Sequence, residues 1–330
     1  MNTISLSTIN LIDQSLANDI SKNNMMELAH MLPPTHNGIF ECNLGSHSMG
    51  EMDFAHGFHT RYDEEGLYAM GKYLQKLSIN GEYIERLKSR LSNSGEQLIE
   101  SIWFEYDTSR PEFTFAPSVF FDMPTINYLY KNLANGDLRL WHRWLNEVLQ
   151  PFNTPHTIPE NIEIVVGCIE ALPSYSFVSH IGVMLGREGA LKLCATINNT
   201  NEVLKYLIED LGMHCTVESI TKIERLLDIS DYAVVNIDIR DATIVDNFGI
   251  ECYISKDHPN NRLWFQYLTH LESMDLCTGM QKASLIDWNF SSPVALDQDF
   301  EIHRKINHTK IGVEKGLLQR AKAYLYFLKL

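Results

Sequence analysis

Apolar and polar positions along this 330-residue chain follow two alternating rhythms. Segments with apolar residues at every third or fourth place predict helices. Segments of strict alternation predict strands, whose successive side chains point to opposite faces. A helix near residues 10–31 leads to a strand around 39–45 (IFECNLG), a second around 51–59 (EMDFAHGFH), and helical sequence from about 63 to 91. The next pair is 101–107 (SIWFEYD) and 113–121 (FTFAPSVFF), joined by a turn holding Ser109, Arg110 and Pro111 and followed by the helical YLYKNL and LWHRWLNEVL. A third unit has a helix near 157–171, strands 176–185 and 190–197 around a Gly186-Arg187-Glu188-Gly189 turn, and helices near 200–211 and 216–227.

The fourth pair is 232–240 (YAVVNIDIR) with 248–255 (FGIECYIS), followed by helices at NRLWFQYLTHL and near 278–288. A fifth pair is expected over about 300–314, with LLQRAKAYLYFLKL closing the chain as a helix. The expectation is an α+β fold: about five helix–strand–strand–helix repeats forming a ten-stranded antiparallel barrel surrounded by helices. It is read as one domain over 1–330, with repeat units at roughly 10–93, 94–150, 157–211, 216–273 and 278–330.

Within the strands the alternation is chemical as well as geometric. Asn236, Asp238 and Arg240 alternate with Val235, Ile237 and Ile239; Glu251 and Tyr253 with Ile250, Cys252 and Ile254; Glu41 and Asn43 with Phe40, Cys42 and Leu44. The apolar face is expected to meet the helices and the polar face to line an interior cavity. Glu41, Asp53, Glu105, Asp107, Asp238 and Glu251 all fall on that inner face. So many carboxylates in one interior call for pairing with Lys or Arg, for protonation, or for a bridging divalent ion.

Composition narrows the setting. A formal charge of −15 argues against general affinity for nucleic acid or an anionic membrane. No run reaches the roughly 18 apolar residues of a membrane helix. The N-terminus lacks the basic start and apolar run of a secretory signal, and the six scattered cysteines include no CxxC pair, so a cytoplasmic protein with reduced thiols is expected. Walker loops, dinucleotide-type glycine patterns, G-x-S-x-G elbows, H-E-x-x-H and DDxxD are absent from the sequence. His56 and His59 form an H-x-x-H, but residues three apart on a strand face opposite sides and make a poor metal pair. Trp141, Trp144 and Trp264 stand at helical spacing and are read as packing residues.

The repeat order and the polar-lined barrel resemble the ABBA, or PT-barrel, prenyltransferases. That resemblance implies a cage of Lys, Arg and Tyr holding an allylic diphosphate, and a first-strand acid that orients or deprotonates the acceptor. Glu41 in GIFECNLG stands where that acid is expected, and Lys192 in ALKLCATI resembles a cage lysine. The fourth unit departs from the indole enzymes' Arg-x-Lys-x-Tyr strand, reading Gly249-Ile250-Glu251-Cys252-Tyr253. The implied reaction is prenyl transfer to an aromatic or peptide acceptor in natural-product or peptide tailoring. Two alternatives stand beside it: a diphosphate-independent cyclase or isomerase, and a non-catalytic barrel binding a peptide or a cationic ligand.

The candidate catalytic residues are Glu41, Glu105, Asp238 and Glu251. The candidate binding residues are Lys192, Arg240, Lys310, Tyr253, Trp103, Asn43, Asn236 and His180, with Arg187 a further cation. Asp53 and Asp107 are the candidate ligands should magnesium assist; no other cofactor is indicated. The expected partner is a small-molecule or peptide substrate, and the sequence specifies no oligomeric state.

Overall fold

The computed structural model describes residues 8–33, 37–48, 50–60, 62–77, 99–123, 138–149, 159–185, 190–254, 261–290, 293–295 and 301–329. The alternating segments form one antiparallel sheet: β1 (Asn37–Asn43), β2 (Met52–His59), β3 (Ser101–Tyr106), β4 (Ser118–Asp122), β5 (Phe177–Val183), β6 (Leu191–Ile197), β7 (Tyr232–Arg240), β8 (Thr243–Tyr253), β9 (Val294–Ala295), β10 (Glu301–Glu314) and β11 (Leu317–Lys329). Each strand from β1 to β8 pairs with the next, β8 pairs with β10, β10 with β11, and β11 with β1. The sheet therefore closes into a ten-stranded barrel with no free edge, and β9 only extends one end of β10.

The helices among the described residues are α1 (Asp19–Met31), α2 (Glu64–Lys76), α3 (Leu138–Leu149), α4 (Pro159–Glu170), α5 (Asn201–Lys205, continued by a π-turn over Tyr206–Asp210), α6 (Val217–Leu227), α7 (Asn261–Ser273) and α8 (Gly279–Phe290). Their starts are legible in the chain. The Asn18 side chain accepts the Ser21 amide ahead of α1, the Thr216 hydroxyl accepts the Ser219 amide ahead of α6, and α4 opens on Pro159. The outward strand residues, among them Phe40, Phe104, Ile181, Leu193, Ile250 and Leu325, are fully buried beneath the helix layer. His56 shares that face among Phe54, Phe58 and Phe104, and burial pushes its imidazole down to about 3. None of the helices described is long and apolar enough to cross a membrane.

Four expectations are corrected. The segment 317–329 is not a closing helix but β11, and the fifth hairpin is β10 with β11 rather than a pair confined to 300–314. Its Leu, Ala, Lys and Arg content favours a helix, but its alternation is that of a strand. Neighbours on both sides satisfy its backbone, and this overrides local propensity. The strand expected over 113–121 is ordered as β4 only from Ser118, and β8 begins earlier than expected, at Thr243. The helical sequence assigned to 78–91, YLYKNL and the 186–189 turn with Arg187 lie outside the described residues.

Two glycines let aromatic rings lie flat inside the barrel. Gly57 is opposite Trp103 and Gly182 opposite Phe120, and a Cβ at either would stand 2.6 Å from a ring carbon. Gly57→Ala is expected to destabilise by about 1–3 kcal/mol through overpacking. Urea unfolding followed by tryptophan fluorescence tests this; an unchanged midpoint would mean that the Trp103 ring is free to shift.

Candidate functional site

Strand register places the polar residues. Glu41 of β1 lies opposite Asp53 of β2 and Tyr324 of β11, while Lys310 of β10 lies opposite Lys322 of β11 and Glu251 of β8. Lys192 of β6 lies opposite Asp238 of β7. A cavity in the lumen is lined by Glu41, Glu105, Lys192, Asn236, Asp238, Lys310, Arg320, Lys322 and Tyr324, which come from six strands far apart in sequence.

Each lumen lysine faces a carboxylate. Lys322 Nζ lies 3.2 Å from Glu41 and 3.3 Å from Asp53. Lys192 Nζ lies 3.4 Å from Asp238, and Lys310 lies 3.8 Å from Glu251 while donating to the Asn236 carbonyl. Asn236 in turn donates to Glu251 at 3.0 Å. As these side chains stand, they leave a free cavity of about 60 Å³.

Burial and neighbouring charge set the acid–base character. Desolvation, then Glu105, raise the Glu41 carboxyl to about 7 against the pull of Lys322. Glu251 moves the other way: burial would raise it, but His308, Lys310 and His180 with the Asn236 amide hold it below its ordinary value. Desolvation, then the nearby Lys192, lower the Lys310 ammonium, and desolvation takes His308 down to about 4. One lumen carboxyl, Glu41, is thus held well above the ordinary carboxylate range by burial and by its acidic neighbours.

Aromatic rings form one wall. Tyr232, Tyr253, His308 and Tyr324 stack in series, with centroids 4.5, 4.6 and 4.0 Å apart. A bulge at Asn307 in β10 turns His308 into this row, and the Tyr253 hydroxyl donates to Glu251 at 3.2 Å.

The structure brings Glu41, Glu105, Asp238, Glu251, Asp53, Lys192, Lys310, Asn236 and Tyr253 together on the inner face. Trp103 stands on the same face of β3 as Glu105, against Gly57. His180 of β5 stands beside Asp122 at 3.5 Å. Arg240 is not brought in: it lies at the hairpin end beside Asp241, at 3.7 Å, and is half exposed. The Asn43 side chain donates outward to Glu51 at the rim. Asp107 faces Arg110 at 3.5 Å just beyond β3, and Asp53 accepts the Ser109 amide at 3.1 Å besides meeting Lys322. Among the described residues no group of three His, Cys, Asp or Glu is placed to hold a metal ion.

Sequence reasoning missed Lys322, Tyr324, His308, Tyr232 and the Ser101–Asp122 pair. The first two were hidden by reading 317–329 as a helix, although Arg320, Lys322, Tyr324 and Tyr326 alternate with Ala321, Ala323, Leu325 and Phe327. His308 was hidden by the bulge, which breaks the parity of its strand.

No protein-family profile and no curated protein matches the sequence. Solved structures do match in shape. The prenyltransferase PriB in its apo form superposes with a TM-score of 0.60 at 12% identity, over 97% of this chain and 94% of that one. AnaPT from Neosartorya fischeri gives 0.58 at 13%, over 99% and 94%. The 6-dimethylallyltryptophan synthase from Micromonospora olivasterospora, in complex with DMASPP and Trp, gives 0.52 at 9%, over 98% and 86%. With ten antiparallel strands closed into a barrel inside a layer of helices, the chain has the ABBA, or PT-barrel, prenyltransferase fold.

Proposed function

We propose that the protein transfers a prenyl group from an allylic diphosphate to an aromatic or peptide acceptor held in the barrel, as a tailoring step of natural-product or peptide biosynthesis. One observation carries the reading: Lys192, Lys310 and Lys322 converge on a cavity lined also by Glu41, whose carboxyl is raised to about 7, and by Tyr324, which stacks on His308. The fold neighbours support it, since one structure of PriB is a complex with product diphosphate.

In this reading the three ammonium groups leave their carboxylates to hold the diphosphate. The C1–O bond of the donor breaks, and its electron pair departs with the diphosphate. The stack of Tyr253, His308 and Tyr324 faces the allylic cation and excludes water, with His308 neutral so that it adds no repulsion. The acceptor's electron pair then forms the new bond to C1, and Glu41 holds or takes the hydrogen of the acceptor's polar group. Asp53 and Asp107 belong to no group of three His, Cys, Asp or Glu among the described residues, and Asp107 is engaged by Arg110, so this donor set does not fit magnesium.

A second reading, a carboxylate-based cyclase or isomerase, is favoured by one observation: each lumen lysine already faces a carboxylate. Isothermal titration with non-hydrolysable dimethylallyl and geranyl diphosphate analogues, with and without magnesium, separates the two. Prenyl transfer expects saturable binding that needs no magnesium and that Lys192→Ala weakens by at least about tenfold, roughly the loss of one charge-assisted hydrogen bond. No binding in either condition would leave the cyclase or a ligand-binding barrel.

A further inference from the structure

A single ammonium group bridges two buried acids. Glu41 of β1 and Asp53 of β2 stand directly opposite each other in register, and both side chains are more than nine-tenths buried. Lys322 Nζ reaches Glu41 Oε2 at 3.2 Å and Asp53 Oδ2 at 3.3 Å, so one nitrogen touches an oxygen of each. The other Asp53 oxygen, Oδ1, accepts the Ser109 amide at 3.1 Å, which anchors that carboxylate to the turn after β3.

The remaining charged or titratable groups facing Glu41 are Glu105 on β3, Lys310 on β10 and Tyr324 on β11. The cations acting on it are thus Lys322 and Lys310, and Lys310 is engaged by Glu251 at 3.8 Å and by the Asn236 carbonyl. In the prenyl-transfer reading both turn to the diphosphate. Two carboxylates facing each other in a buried site cannot both stay ionised once the cation between them has gone, and a shared proton is the least costly replacement.

We propose that binding of the allylic diphosphate draws one proton from solvent onto the facing Glu41–Asp53 pair, where it takes the bridging position that Lys322 leaves. This rests on the prenyl-transfer reading. The Lys322 ammonium keeps its own hydrogens and exchanges carboxylate oxygens for diphosphate oxygens. Solvent supplies H⁺, an O–H bond forms at Glu41 Oε2 or Asp53 Oδ2, and the facing oxygen accepts it. The pair then carries one negative charge instead of two, and Glu41 Oε1 is left to hold or take the hydrogen of the acceptor's polar group. Donor binding thereby sets the charge of the base before the acceptor reacts, and Asp53 is a positioning residue that acts through Glu41. Burial favours the same direction: the Glu41 carboxyl is raised to about 7 even against the pull of Lys322, and it rises further when that pull is removed.

Isothermal titration of the full chain with dimethylallyl S-thiolodiphosphate at pH 8, repeated in buffers of different ionisation enthalpy, counts the protons. At that pH the analogue is fully ionised and Glu41 of the free protein is mostly so. Wild type is expected to take up close to one proton, and by linkage its affinity should weaken by about tenfold for each pH unit above 7. Glu41→Gln removes the titrating carboxyl with little change of shape, and it should bind the analogue with almost no uptake. Asp53→Asn should bind as well, with a flatter pH dependence, a change that a merely structural role would not produce. Wild-type binding without uptake, or uptake undiminished in Glu41→Gln, would overturn the inference and leave prenyl transfer standing. Should either variant fail to fold, the wild-type count and pH dependence decide alone. No binding between pH 6 and 8 would instead count against the diphosphate reading and take the proton coupling with it.

Discussion

Lys322→Ala is expected to lower stability more than any other single change in the lumen, by about 3–5 kcal/mol at neutral pH, and to abolish diphosphate binding. The Lys322 ammonium sits between Glu41 and Asp53, at 3.2 and 3.3 Å, and both carboxylates are almost wholly buried and opposite each other in register. Removing it leaves two buried acids facing each other with no cation between them. The penalty should shrink at pH 5, where Glu41 takes up a proton, and also in the double variant Lys322→Ala with Glu41→Gln. Urea unfolding at pH 5 and pH 7.5 measures both. An unfolding midpoint equal to that of wild type at pH 7.5 would show that water reaches this group and that the barrel does not isolate it.

Glu41→Gln is expected to lower turnover by about 10²–10⁴-fold while sparing diphosphate binding, because it removes a base and leaves the three lysines in place. The same variant reports on the origin of the near-neutral carboxyl. Burial and Glu105 raise the folded value to about 7 from an ordinary 4.5, so between those values the folded state holds a proton that the unfolded chain has lost. The stabilisation from this group is complete below the unfolded value and is lost as pH rises through the folded one, for a total of about 3 kcal/mol. His308 has the opposite sign: lowered to about 4, it favours the folded state above its ordinary value, and that contribution is lost as pH falls. The difference between wild type and Glu41→Gln isolates the glutamate. Relative to wild type, the variant should gain stability as pH rises from 4.5 to 8. A pH-independent difference would show that Glu41 ionises normally and is not the poised base.

Much of the barrel was readable because period-2 alternation survives in the middle of nearly every strand. Val235, Ile237 and Ile239 set against Asn236 and Asp238 announce one oily and one polar face, and both faces are where that pattern puts them. Glu41, Asp53, Glu105, Asp238 and Glu251 were placed on the inner face by parity alone. Arg240 was misplaced because parity says nothing about where a strand leaves the barrel: its strand ends in a hairpin, where Asp241 meets it. His308 follows a bulge, which flips parity by one residue and cannot be counted from one strand without its partner.

The amino-acid sequence by itself determined the order of helices and of the first four hairpins, the two-faced strands and an acid-rich interior, because each of these depends on contacts between residues near in the chain or on simple alternation. Only the tertiary structure decided that Leu317–Lys329 is a strand, since it is β1, more than 270 residues away, together with β10 that satisfies its backbone. That single closure carries Lys322 to Glu41 and Tyr324 to His308. The charge state of Glu41 follows from it as well, because desolvation and the fields of Glu105, Asp53 and Lys322 act through space rather than along the chain.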